Sequence, residues 1–186
     1  MSTRIQTLNP EVTTGKSKEL FDAVQKKVGF IPNLIKVLGN SPAALQAYLS
    51  LGEITSSGRF SNKFREQLAL AIGEENECDY CLSAHTAIGK MNGLSDIQTE
   101  QSRQGNSEDA RERAALQFAQ LVTRERGQVN DKAIETVKNA GYNDEELLEI
   151  VLNVVSNTLT NYVNHLANTE VDFPKVSSGT YKEVVS

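Results

Sequence analysis

The residue types able to do chemistry crowd into one stretch, Glu66 to His85, which holds the chain's two cysteines, Cys78 and Cys81, and one of its two histidines. The cysteines form a C-x-x-C pair, which in a reducing compartment points to redox chemistry or metal binding more than to a structural staple. At about 100° per residue of helix, Cys78, Cys81 and His85 share a sector of roughly 60°. His85 then lies one turn beyond Cys81. If the polar break at Glu74 to Glu77 is a tight hairpin centred between Glu75 and Asn76, Glu66 stands level with His85.

That order of acid, imidazole and thiol gives each group a task. A free thiol, with a pKa of about 8.5, is mostly protonated at neutral pH, and an adjacent imidazole raises its reactivity by taking or balancing the proton. Glu66 would orient and charge-balance His85. The second thiol would resolve a sulfenic acid or mixed disulfide formed on the first. Cys78 is expected to gain more from the helix dipole and to be the more exposed thiol, whereas Cys81 is one turn from His85. The expectation is therefore Cys81 as attacking and Cys78 as resolving sulfur. Asp79 and Tyr80 fall off the cysteine sector and are read as lining the pocket mouth or as structural. The competing chemistry is zinc held by Cys78, Cys81 and His85 with Glu66 or water as fourth ligand; one helix face arranges three ligands poorly around a tetrahedral ion, and no second pair closes the site.

The elements that must position these residues read as helices, with almost no strict alternation of the strand kind. A first helix is expected from about Lys16 to Lys27, ended by Gly29, and a short one after Pro32. Ser41 with Pro42 caps a third that ends near Gly58, and Ser61 a fourth over about Asn62 to Glu75. The cysteine helix runs to Gly93. Ser95 with Gln98 is a capping box, Ser107 opens a long helix ended by Gly127, and Asn130 starts a short one up to Gly141. Asn143 with Glu146 is a second capping box, launching the final helix to about Thr169. Residues 1–174 are thus one all-α domain, and 175–186 a polar tail, loose or docked on a partner. His165 is expected to be a packing or surface histidine.

Composition narrows the partners. Nineteen Lys plus Arg against 24 Asp plus Glu give a net charge of −5, and no basic block appears, so the electrostatics argue against nucleic acid as a partner. No apolar run reaches the roughly 20 residues that span a bilayer. The first residues lack a secretory pattern, so the expected address is the cytoplasm. The arginines at 111, 113, 124 and 126 are interleaved with Glu112 and Glu125, as on a solvated face.

The spacing E-x(11)-C-x-x-C-x(3)-H, on a helix that follows a helix, resembles the alkylhydroperoxidase D (AhpD)-like branch of the carboxymuconolactone decarboxylase family. Gly29 to Asn33, Ser41-Pro42 and Asn161 to Asn164 look like its longer, peroxidase-related members. The resemblance implies an AhpD-like helical bundle of about seven or eight helices and homo-oligomers such as trimers or hexamers. It also implies cysteine-dependent reduction of organic peroxides or hydrogen peroxide, a peroxiredoxin activity. In the family a proton relay runs from a glutamate through the histidine, with water, to the second cysteine, matching Glu66, His85 and Cys81. The cycle needs no bound cofactor and no metal. An external dithiol, a thioredoxin-like or lipoyl-type protein, would reopen the disulfide. One position departs: the founding member has a histidine just before the second cysteine, where this chain has Tyr80, which is no base at neutral pH. Decarboxylase members act without a C-x-x-C pair. A redox-sensing or disulfide-exchange subunit is the alternative from another class.

Overall fold

The computed structural model describes residues 3–179, and these contain nine helices and no strand. They are α1 (Gly15–Val28), α2 (Asn33–Leu38), α3 (Pro42–Ser56), α4 (Asn62–Glu75), α5 (Asp79–Met91), α6 (Asp96–Arg103), α7 (Ala110–Arg124), α8 (Asp131–Asn139) and α9 (Asp144–Ala167). The family resemblance implies seven or eight, whereas the caps and turns mark nine, the six-residue α2 after Pro32 among them, and nine are found among the described residues.

Local chemistry sets the ends. Side chains of Ser41, Ser61, Ser95, Asn130 and Asn143 accept backbone N–H bonds at the starts of α3, α4, α6, α8 and α9, and both capping boxes form. Such caps satisfy the donors that a helix N-terminus leaves unpaired. Two ends differ from expectation. Ser107 does not cap α7; Asp109 does, because its carboxylate accepts from both Arg111 N and Glu112 N, while Ser107 Oγ donates to Glu112. Helix α9 stops at Ala167, since Asn168 turns left-handed at φ 50°.

Helix α4 is the buried axis, packed against α5, α6, α7 and α9. One apolar cluster joins α4 to α7, α8 and α9 through residues such as Leu68, Ile72, Leu116, Phe118 and Ile150. A second joins α1, α2, α3 and α5 through Phe21, Leu34, Leu45, Tyr80 and Ala84, and it contains both cysteines. The thiols therefore sit inside an apolar core rather than on the surface.

The chain beyond α9 runs back over the bundle. Asp172 accepts from Asn33 N at 2.7 Å and from the Tyr80 hydroxyl at 2.8 Å. Val176 N donates to Ser83 Oγ, the Ser178 N–H and hydroxyl donate to Asp79, and Gly179 N donates to Glu74. Residues 175–179 of the expected tail are thus tied to the chain's own α4 and α5; residues 180–186 lie outside the described residues.

Candidate active site

The site is made by the joint between α4 and α5. Cys78 N donates to Gly73 O at 2.9 Å and Glu77 N to Glu74 O at 3.1 Å, the paired bonds that close a helix C-terminus around a left-handed residue. That residue is Glu77, at φ 56°. Its carbonyl is in turn bonded by His165 Nε2 at 3.2 Å, so the exposed His165 ties α9 to the joint.

Cys78 ends this turn and also caps α5, its Sγ accepting from Cys81 N at 3.3 Å. The sequence reading placed Cys78 within the helix; it precedes the first helical residue, with extended backbone, because Asn76 and Glu77 use up the turn. Nor is it the more exposed thiol. Cys78 and Cys81 are 1% and 2% exposed, both free, because α9 and the α1–α3 layer cover the start of α5.

The antiparallel run of α4 and α5 brings Glu66 and His85 together, with Nδ1 of His85 2.8 Å from Oε2 of Glu66. Gly89, one turn beyond His85, makes room for Leu94, since a Cβ there would lie only 2.8 Å from Leu94 Cδ1. Burial works against a charged His85 ring, but the Glu66 charge and hydrogen bond, with Cys81, raise its pKa above the ordinary histidine value.

Burial also opposes a charged Cys81, yet the Cys78 hydrogen bond, the His85 charge and the amides of Asn164 and Asn161 bring that thiol down to about 7. Cys78 goes the other way. Its shared hydrogen bond with Cys81 and its burial push it far above the ordinary thiol range. The two sulfurs are chemically unequal, and Cys81 is the one that ionises.

Cys81 and His85 open onto a cavity of about 480 Å³, walled by Val24, Leu34, Ile35, Tyr48, Tyr80 and Phe173 among others, with Lys27 and Glu53 also on its lining. Tyr80 is on this wall, but its hydroxyl donates to Asp172 and accepts from Leu34 N. Burial, with Asp172, pushes that phenol well above the ordinary range. Asp79 is not on the cavity wall; it holds Ser178. Among the described residues no three His, Cys, Asp or Glu side chains are grouped so as to hold a metal ion.

Sequence reasoning assigned no role to three residues beside the cysteines. Asn164 Nδ2 donates to Cys81 Sγ at 3.3 Å, and Asn161 Oδ1 accepts from Asn76 Nδ2 at 2.7 Å. Tyr48, from α3, is pushed up to about 12 by burial, then by Cys81 and Glu66. The Asn161 to Asn164 stretch carries only the family resemblance and Tyr48 no signal, because these residues come from helices far from the C-x-x-C pair in sequence.

Residues 42–120, spanning α3 to most of α7, match the model of the Carboxymuconolactone decarboxylase family. The chain is similar to that family over this segment. A peroxidase-related protein of Ralstonia eutropha JMP134, described as an alkylhydroperoxidase AhpD core, superposes with a TM-score of 0.81 at 23% identity, over 91% of this chain and 92% of its own. A peroxidase-related protein of Silicibacter sp. TM1040 gives 0.76 at 23%, over 90% and 92%. A debrominase variant in complex with 2,3,4-tribromopyrrole gives 0.79 at 18%, over 92% and 93%. A sequence search of curated proteins finds no match. These neighbours establish the AhpD-like fold, and no helix among the described residues is long and apolar enough to cross a membrane.

Proposed function

We propose that this AhpD-like protein is a cysteine peroxidase in which Cys81 attacks and Cys78 resolves. The observation that carries the reading is the inequality of the two sulfurs: Cys81 is brought down to about 7 beside the Glu66–His85 pair, while Cys78 stays a thiol. Cys81 thiolate attacks the terminal oxygen of R–O–OH, the O–O bond breaks, and the products are Cys81 sulfenic acid and, once a proton is supplied, the alcohol R–OH. Glu66 occupies His85 Nδ1, which leaves Nε2 to deliver that proton; the Cys78 thiol proton leaves in the water formed next, and His85 is protonated again by the Cys81 thiol once the disulfide is reduced. Cys78 sulfur then displaces the sulfenic oxygen as water and forms the disulfide. An external dithiol, thioredoxin-like or lipoyl-type, reduces it to two thiols and becomes a disulfide itself.

The burial of both sulfurs favours a small substrate over a protein partner in the attacking step, against pure disulfide exchange. The cavity wall is largely apolar, which suits an organic hydroperoxide better than hydrogen peroxide alone. The reading assigns the protein to the reducing cytoplasm, where both thiols persist between turnovers.

We also read the protein as a homo-oligomer. Leu148, Val151, Val155, Leu159, Tyr162 and Leu166 are exposed and recur three and four residues apart along α9, the spacing of a helix face that packs on a second helix. No Asp, Glu, Lys or Arg interrupts this helix between Glu149 and its end, so a second copy meets the stripe without desolvating such a charge.

Peroxide consumption by the reduced protein with a dithiol, compared with Cys81→Ser and Cys78→Ser, tests the chemistry. Turnover is expected in the parent and lost in both variants.

A further inference from the structure

Asn161 and Asn164 stand three residues apart on α9, 0% and 4% exposed, and outside the 42–120 family match. Two carboxamides in an apolar core are costly unless their polar atoms are used. Here the use is incomplete by ordinary bonds: Asn164 Oδ1 and Asn161 Nδ2 are buried with no conventional partner. What both amides share is Cys81. Asn164 Nδ2 reaches its sulfur at 3.3 Å, and Asn76, at the end of α4, holds Asn161 Oδ1, which leaves the Asn161 NH2 group for the sulfur side.

We propose that Asn161 and Asn164 are positioning residues that cradle the Cys81 sulfur from α9, making it, rather than Cys78, the sulfur that carries negative charge. The inference rests on the assignment of Cys81 as attacking thiol. Asn164 also bears on Cys78, but Asn161 and His85 weigh on Cys81. A neutral amide donor suits this place. It favours the thiolate without adding a cation that would hold the sulfur so tightly as to blunt its attack.

The other groups facing Cys81 are Tyr48 from α3, Glu66 from α4 acting through His85, Cys78 at the cap of α5, and Tyr80 and His85 from α5. Lys27, Glu53 and Phe173 line the wider cavity, and Asp172 is bound to Tyr80. None of these is altered by substitution on α9, so a change in Cys81 ionisation there reads the amides.

The test is the pH dependence of iodoacetamide alkylation in a Cys78→Ser parent, where Cys81 is the remaining thiol, against the same parent carrying Asn164→Leu, Asn164→Asp or Asn161→Leu. Circular dichroism and thermal melting check folding. The midpoint is expected to rise by about one pH unit in both Asn164 variants, a roughly tenfold fall in rate below the midpoint, and by less in Asn161→Leu. Asn164→Asp keeps the side-chain volume but adds a carboxylate that raises the midpoint by repulsion alone, so Asn161→Leu decides the matter if Asn164→Leu does not fold. An unmoved midpoint in a folded Asn164 variant overturns the inference. Alkylation needs no peroxide: a shifted midpoint in the Asn164 variants beside an unsubstituted chain that reduces no peroxide sinks the peroxidase reading and leaves the cradle standing, while turnover by the unsubstituted chain with an unmoved midpoint does the reverse.

Discussion

Oε2 of Glu66 lies 2.8 Å from Nδ1 of His85, across the α4–α5 pair and 19 residues away in sequence. This contact fixes which ring nitrogen is left for proton transfer, and its charge favours the imidazolium that stabilises the Cys81 thiolate. Glu66→Gln keeps the shape and removes the charge. The expected result is a loss of about 10²-fold in kcat/KM for peroxide, the low end of what a positioned acid–base group contributes. Steady-state kinetics at fixed reductant check it.

The same pair carries a stability signature. His85 titrates above its unfolded value, so its contribution is fully present below the unfolded pKa, about 6.5, and is lost as pH rises through the raised folded value. The melting temperature of the parent should exceed that of Glu66→Gln by more at pH 6 than at pH 9. Equal differences at both pH values would show that the imidazolium is not what Glu66 stabilises.

Cys81 has the opposite sign. Its folded pKa, about 7, lies below the ordinary thiol value, so stability from its ionisation is present above the unfolded pKa and lost as pH falls through 7. Reactivity follows: iodoacetamide at pH 7.5 should label Cys81 first, with Cys78 labelled at least tenfold more slowly. Peptide mass spectrometry after brief exposure reads the order, and preferential labelling of Cys78 would reverse the assignment.

Tyr80 stands where the founding family member has a histidine, and its hydroxyl bridges Asp172 and Leu34 N. Tyr80→Phe leaves the buried Leu34 N–H without its partner, while the exposed Asp172 carboxylate turns to water. It should cost about 1–3 kcal/mol in chemical denaturation while leaving the pH midpoint of Cys81 alkylation in place. A shifted midpoint without loss of stability would make Tyr80 part of the proton path instead.

The helices and the level pairing of Glu66 with His85 were legible in the sequence because caps, turn residues and hairpin register act over short range. The joint was less so: the spacing suggested Cys78 inside a helix, but Asn76 and Glu77 consume the turn and leave it as the cap of α5. The covering of both sulfurs depends on α9 and on the α1–α3 layer, and no local pattern reports which distant helix face will fall over a thiol. For the same reason Asn161 and Asn164, about 80 residues from Cys81, carried no assigned role until the fold placed them beside the sulfur.

In the homo-oligomer proposed above, a second copy packs on the exposed face of α9, where Val155 and Leu159 both lie on the stripe. The double change Val155→Glu with Leu159→Glu should lower the mass measured by light scattering to that of one chain, with helicity retained. A parent already monomeric at micromolar concentration would remove the oligomer reading.

The most direct test of the central claim is consumption of an organic hydroperoxide by the reduced, metal-free protein with a dithiol reductant, beside Cys81→Ser and Cys78→Ser and with free thiols titrated before and after. The account predicts multiple turnovers and loss of two thiols per oxidised chain in the parent. It predicts no reaction in Cys81→Ser, and in Cys78→Ser a single oxidation that stops at the Cys81 sulfenic acid. Loss of two thiols without turnover, or turnover that survives Cys81→Ser, would contradict it.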